Sequence, residues 1–182
     1  QVLQLSYVST SPGTACGAYC WDYLNFENVI SNHWYHVVIT RENSSGTISM
    51  YVNGSLEAQN INATPGTPIS NSNSLYLGTH NTNTGWLNGY ADELAIWNDV
   101  LNPSEVAELY NSGNGLDASF NLGDYTSSSN LQSYYKCNEG DGTTIYDQSG
   151  NQNNGAIYGD PLWIENIAGC TNPYALNYDE TA

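Results

Sequence analysis

Thr47-Ile48-Ser49-Met50-Tyr51-Val52-Asn53-Gly54-Ser55-Leu56-Glu57-Ala58 is the stretch that decides the fold class. Ile48, Met50 and Val52 alternate with Ser49 and Tyr51, the two-residue period of a strand that turns one face inward. Asn53-Gly54 follows at once, and a second strand run begins at Ser55. An Asn-Gly pair between two such runs is the strongest short hairpin signal, because both residues accept the positive φ of a tight turn. Working outward, Trp34-Tyr35-His36-Val37-Val38-Ile39-Thr40 is dense in aromatic and β-branched residues and reads as a strand. Ser74-Leu75-Tyr76-Leu77-Gly78 and Tyr90-Ala91-Asp92-Glu93-Leu94-Ala95-Ile96-Trp97 read as two more.

One helix interrupts the strands. Asn102 is placed to cap it, Pro103 suits its first turn, and Glu105 stands at the capping-box spacing. Val106, Leu109 and Tyr110 make its apolar side, and Gly113 is the expected stop. Residues 111–131 are rich in Gly, Ser and Asn and read as loop. Strand signals resume at Leu131-Gln132-Ser133-Tyr134-Tyr135 and, after a polar turn from Asp147 to Gly155, at Ala156-Ile157-Tyr158. Many short strands, close turn signals and a single helix predict an all-β, two-sheet antiparallel jelly-roll sandwich.

Composition narrows the function classes. The 182 residues carry eighteen acidic side chains and only two basic ones, Arg41 and Lys136, for a net charge of −16. Nucleic acid is excluded as a partner, because almost nothing is present to neutralise phosphates. An anionic membrane surface, which recruits Lys and Arg, is disfavoured on the same ground. No apolar run is long enough to span a bilayer, so no membrane insertion is expected. Gln1 opens in mid-pattern, without a signal peptide, which reads as a section of a longer chain. Fifteen Tyr and five Trp suit a surface that stacks on sugars or on protein. Cys16 and Cys20 are close enough to close a local disulfide, which would place the chain in an oxidising compartment; Cys137 and Cys170 have no assigned pairing.

Trp34-Tyr35-His36-Val37-Val38, Tyr51-Val52-Asn53-Gly54, Leu75-Tyr76-Leu77-Gly78 and Gly89-Tyr90-Ala91-Asp92-Glu93-Leu94-Ala95-Ile96-Trp97, followed by the helix from Leu101 to Tyr110, resemble laminin-G-like (concanavalin A-like) jelly-roll domains over roughly residues 30–113. The family's opening segment is missing at the N-terminus. Tyr134-Tyr135-Lys136-Cys137-Asn138-Glu139-Gly140 through Asp147 to Gly155 resembles it, displaced to after the helix. The implied organisation is a laminin-G-like sandwich at 1–113, a linker at 114–131, and a strand segment at 132–168 that either completes the sandwich or starts a second one. The tail from Gly169 onward, 169–182, resembles the start of a short cysteine-bounded repeat found in surface proteins of marine bacteria and in phage proteins.

Many domains of this family hold a structural calcium. Carried over, the resemblance points to Asp147, Asn151, Asn153 and Asn154 together with Asp92 or Glu93 as oxygen ligands. The other reading of Asp147 and its asparagines is a set of Asx turns. Asp124, Glu139 and Asp141 form a second polar patch that reads as a solvated loop. For sugar binding, a flat ring beside planar polar groups is required; Trp86, Tyr90, His80 and Asn81 offer one such platform, and Trp21 with Tyr19 another. The alternative for each aromatic is a structural place in the protein.

No catalytic residues are nominated. A glycosidase needs two carboxylates across one cleft. Asp92 and Glu93 are adjacent and should face opposite sides of a strand, and no Glu-x-Asp-x-x-Glu arrangement occurs. The expected function is therefore a non-catalytic extracellular adhesion or recognition module, at a cell or virion surface, for a glycan or a surface protein. The competing expectation is a structural repeat of a fibre, filament or phage appendage, in contact with neighbouring copies.

Overall fold

The computed structural model describes residues 2–9, 20–61, 74–79 and 86–164, with the backbone alone at 6–9 and 20–22. They are mostly β, antiparallel throughout, with one short α-helix. Two compact units are formed. One draws its described residues from Gln1–Pro68 and Asp99–Ser129, the other from Ile69–Asn98 and Asn130–Asn166.

In the first unit, β1 (Leu3–Ser9) pairs with β2 (Cys20–Phe26), placing Leu3 opposite Phe26 and Leu5 opposite Leu24. Neither strand is among the sequence expectations. A second sheet runs β3 (Val37–Glu42), β4 (Thr47–Val52), β5 (Ser55–Asn60). The β4–β5 turn is the expected one: Asn53 and Gly54 both have positive φ, 50° and 78°, and Val52 pairs with Ser55. Ile48, Met50 and Val52 form the core with Leu24, and Leu3, Leu5, Phe26, Tyr35 and Ala58 pack against them. This is sheet on sheet, with β4 buried on both faces because Ser49 and Tyr51 are buried too.

The helix α1 (Pro103–Tyr110) closes the first unit over that hairpin. Gly54 lies so close that a Cβ there would come within 3.1 Å of the Tyr110 ring and 3.4 Å of the Ala107 backbone, so the turn needs glycine for space as well as for φ. The capping box forms as read from the sequence. The Asn102 side chain accepts from the N–H groups of Ser104 (2.9 Å) and Glu105 (3.0 Å), and Glu105 Oε2 accepts from Asn102 N–H at 3.1 Å. The stop differs: Asn111, not Gly113, is the left-handed C-cap, and a 3-10 turn, Asn111–Gly113, follows. Asn tolerates that conformation because its short amide bonds locally, here donating to Gly115 O at 3.0 Å.

Residues 114–129 are more than connection. Tyr125 is fully buried and its hydroxyl donates to Ala118 O at 2.8 Å. Glu105, 3% exposed, spends its other oxygen here: Oε1 accepts from Thr126 N–H, Thr126 Oγ1 and Ser127 Oγ at 3.2, 3.1 and 2.7 Å.

The second unit pairs β6 (Leu94–Trp97) with β7 (Leu131–Tyr135), Leu94 opposite Tyr135, with a bulge at Ile96/Trp97. The strand expected over 90–97 is thus shortened at its start, because Glu93 sits at φ 53° and breaks the extended run. The strand expected at 74–78 joins no ladder among the described residues, and Leu75, Tyr76 and Leu77 stay exposed. A short ladder of β8 (Thr144–Ile145) and β9 (Gly155–Ala156) completes the unit. No helix among the described residues is long and apolar enough to cross a membrane.

Candidate functional site

The second unit carries the residues of interest, and its organiser is the Asp147 turn. Asp147 Oδ1 accepts from Tyr134 N–H and Ser149 N–H, each at 2.9 Å. Its Oδ2 accepts from Ser149 Oγ at 2.9 Å and Asn153 N–H at 3.0 Å. Asn154 Oδ1 accepts from the Asp147 N–H at 3.0 Å. Asn151 and Asn153 turn their amide nitrogens onto strand carbonyls, donating to Leu131 O (2.9 Å) and Gln132 O (2.8 Å) respectively. Partial burial pushes the Asp147 carboxyl upward, but the hydrogen bonds from Ser149, Tyr134 and Asn153 outweigh it and hold the group below its usual range.

This arrangement bears on the calcium expectation. Both Asp147 oxygens are already spent on four protein donors. Among the described residues, no three His, Cys, Asp or Glu side chains converge as a metal-holding group. Asp92 Oδ1 accepts from Glu93 N–H at 3.0 Å, and Glu93 takes the Tyr134 hydroxyl. In this arrangement a cation bound by the Asp147 carboxylate would have to displace hydrogen bonds that hold β7. The Asp147 bonds to Ser149 are those of an Asx-type turn. Of the second polar patch, Asp124 belongs to the first unit while Glu139 and Asp141 belong to the other.

Glu139 and Asp141 line an open groove of about 560 Å³ with Lys136, Asn138, Thr143 and Tyr146. Glu139 Oε1 accepts from Tyr146 N–H at 2.9 Å. Its Oε2 is shielded from water and meets no hydrogen-bond donor among the described residues. Lys136 Nζ sits over the Tyr134 ring, 5.6 Å from its centroid, a cation–π distance. Beside this, Cys137 carries a half-buried free thiol. Burial, reinforced by the charges of Asp92, Glu139 and Glu93, pushes it up to about 11. Such a thiol is no nucleophile near neutral pH.

Of the nominated aromatics, Trp86 and Tyr90 are 62% and 65% exposed. Tyr158 is 82% exposed, and a Cβ added to the next residue, Gly159, would lie 4.0 Å from the Trp86 ring edge. Tyr146 is half-exposed at the groove. Sequence reading missed Tyr146 and Tyr158; nothing in their local pattern marks them, since the β8–β9 ladder sets their positions. His80, Asn81, Tyr19 and Cys16 lie outside the described residues, and Trp21 and Cys20 are described only as backbone in β2.

Residues 13–107, just over half of the chain, match the family described as the concanavalin A-like lectin/glucanases superfamily, of laminin-G type. Two solved structures are similar. One is residues 221–444 of an S-layer domain-containing protein of Clostridium thermocellum: 19% identity, TM-score 0.39, covering 59% of this chain and 51% of that one. The other is a protein of Bacteroides ovatus presumed to bind carbohydrate: 21% identity, TM-score 0.48, covering 73% of this chain and 37% of that one. The chain thus spans about half of the first and just over a third of the second. No curated protein sequence matches it.

Proposed function

The chain belongs to the concanavalin A-like lectin/glucanases superfamily, and from that premise we propose that it is a non-catalytic module that binds a neutral glycan in an extracellular or surface-attached setting. The observation that carries this reading is Trp86, 62% exposed beside Gly159, where an added Cβ would lie 4.0 Å from its ring edge. Exposed tryptophan is a costly surface to leave in water, and a flat ring is a natural seat for the C–H face of a sugar. A neutral ligand suits a chain of net charge −16, which repels anions.

One observation favours a second reading, glycoside hydrolysis: Glu139 and Asp141 share a groove. They are, however, two residues apart on one turn about Gly140, whereas hydrolysis needs carboxyls that flank the bond to be broken. A reducing-sugar assay separates the two readings.

The direct test is a glycan array probed with the labelled chain and with Trp86→Ala. Binding to a defined set of neutral glycans, lost in the variant, is the expected result. No binding by the wild type, or equal binding by the variant, contradicts the proposal and returns weight to a structural repeat in a fibre or filament.

A further inference from the structure

We infer that Asn88-Gly89 is a site of spontaneous covalent modification, at which the folded chain converts an asparagine to aspartate and isoaspartate through a cyclic imide. The chain holds four Asn-Gly pairs: Asn53-Gly54, Asn88-Gly89, Asn114-Gly115 and Asn154-Gly155. Each has the local chemistry for the reaction, because glycine has no Cβ to keep its backbone nitrogen from the preceding side-chain amide. The fold tells them apart.

Three pairs are held. Asn53 Oδ1 accepts the His36 N–H at 3.0 Å, and Gly54 is hemmed in by Tyr110 and Ala107. Asn154 Oδ1 accepts the Asp147 N–H at 3.0 Å, and Gly155 lies in β9, paired with Ile145. At the third pair the nucleophile itself is engaged: Gly115 N–H donates to Tyr110 O at 3.2 Å, while Asn114 Nδ2 donates to Asn111 O at 3.3 Å. Each of these must open locally before its Cγ can meet the glycine nitrogen.

Asn88 differs on every count. It and Gly89 lie in an unbroken exposed run from Trp86 to Glu93. Among the described residues, no hydrogen bond engages the Asn88 amide or the Gly89 N–H. A Cβ added to Gly89 would meet Leu87 at 3.8 Å and nothing closer, so the space around the nitrogen is open. The Gly89 nitrogen gives its proton to hydroxide and attacks Asn88 Cγ. The new C–N bond closes a five-membered imide as the Cγ–Nδ2 bond breaks, and ammonia leaves after taking a proton from water. Water then opens the imide at either carbonyl, giving aspartate or isoaspartate. Both products place a negative charge between Trp86 and Tyr90, and isoaspartate also lengthens the main chain there. Weakened glycan binding by the aged chain is a consequence that rests on the reading above; the modification itself does not.

The test is peptide mass spectrometry of the chain aged at mildly alkaline pH, once folded and once in urea. In the folded chain Asn88 should convert about tenfold or more faster than Asn53, Asn114 and Asn154. In urea, where no fold protects the other three, the four rates should converge. Asn88→Gln, and Gly89→Ala, which the open space admits, should each remove the first acidic species that ion exchange resolves. Equal rates at all four pairs in the folded chain, or an Asn88 that converts only in urea, overturns the inference. A wild type that binds no glycan yet converts first at Asn88 contradicts the proposed function and leaves this site standing.

Discussion

The Asp147 carboxylate accepts the backbone N–H of Tyr134 at 2.9 Å, across thirteen residues of chain. Tyr134 is almost wholly buried, so this one bond ties the polar turn to strand β7 of the second unit. Asp147→Ala is expected to cost about 1–3 kcal/mol for the stranded Tyr134 N–H alone. For a chain of this size each kcal/mol lowers the melting midpoint by about 2–4 °C. Asp147→Asn keeps one acceptor oxygen and should cost about half as much. Because the carboxylate is filled by protein donors, adding calcium or excess chelator should leave the wild-type midpoint unchanged; a clear drop on chelation would show that a cation belongs at the turn after all.

Acid should weaken the fold through two carboxyls. Asp147 and Glu105 are both held below the usual carboxylate range: burial opposes this, but hydrogen bonds from Ser149, Tyr134 and Asn153 at Asp147, and from Ser127, Asn102 and Thr126 at Glu105, prevail. A depressed carboxyl contributes stability that is fully present above its unfolded pKa, near 4, and is lost as pH falls through the lower folded value. Urea midpoints should therefore show a fall below about pH 4 that is separate from any change at milder pH. Glu105→Gln should flatten that fall while lowering the plateau. An unchanged acid slope in the variant would refute the assignment.

His36 adds a separate step at milder pH. It stacks on Tyr110, ring centroids 5.9 Å apart, and its buried Nδ1 has no hydrogen-bond partner among the described residues. Burial pushes its imidazole below the usual histidine range. The neutral ring's contribution is intact above the unfolded value, about 6.5, and is lost as pH falls through the folded one. His36→Phe should keep the stack and abolish the loss between about pH 6.5 and 5. If the variant's midpoint declines over that range as the wild type's does, His36 is not its source.

Cys137, with its thiol pushed up to about 11, should resist alkylation in the folded chain at pH 7.5 and react normally once urea unfolds it. Peptide mass spectrometry reads this thiol apart from the other three cysteines. Rapid modification in the native state would mean that the thiol is neither shielded nor repelled by its carboxylate neighbours.

The parts of the fold legible in the sequence are those written in local chemistry. The Asn53-Gly54 hairpin, the Asn102/Glu105 capping box and the strand Leu131–Tyr135 appear at the expected positions because turn φ, cap geometry and alternation are properties of neighbouring residues. β1 and β2 were not legible, since their apolar pairs Leu3–Phe26 and Leu5–Leu24 make sense only once the strands face each other. The same holds for Glu105, whose cap was readable while its reach to Thr126 and Ser127 was not. At the site, Trp86 and Tyr90 could be nominated as single aromatic residues. The groove could not, because it is assembled by a ladder that joins Thr144 to Ala156 and carries Ile157 back to Thr143.

The account's central claim is that a neutral glycan seats on Trp86. The most direct measurement is chemical-shift mapping of the isotope-labelled chain titrated with a neutral glycan that the array identifies. The account predicts that the Trp86 indole N–H and the backbone amides of residues 86–90 and 157–159 move together and saturate at one affinity. Shifts confined to the first unit, or none at saturating sugar, would contradict it.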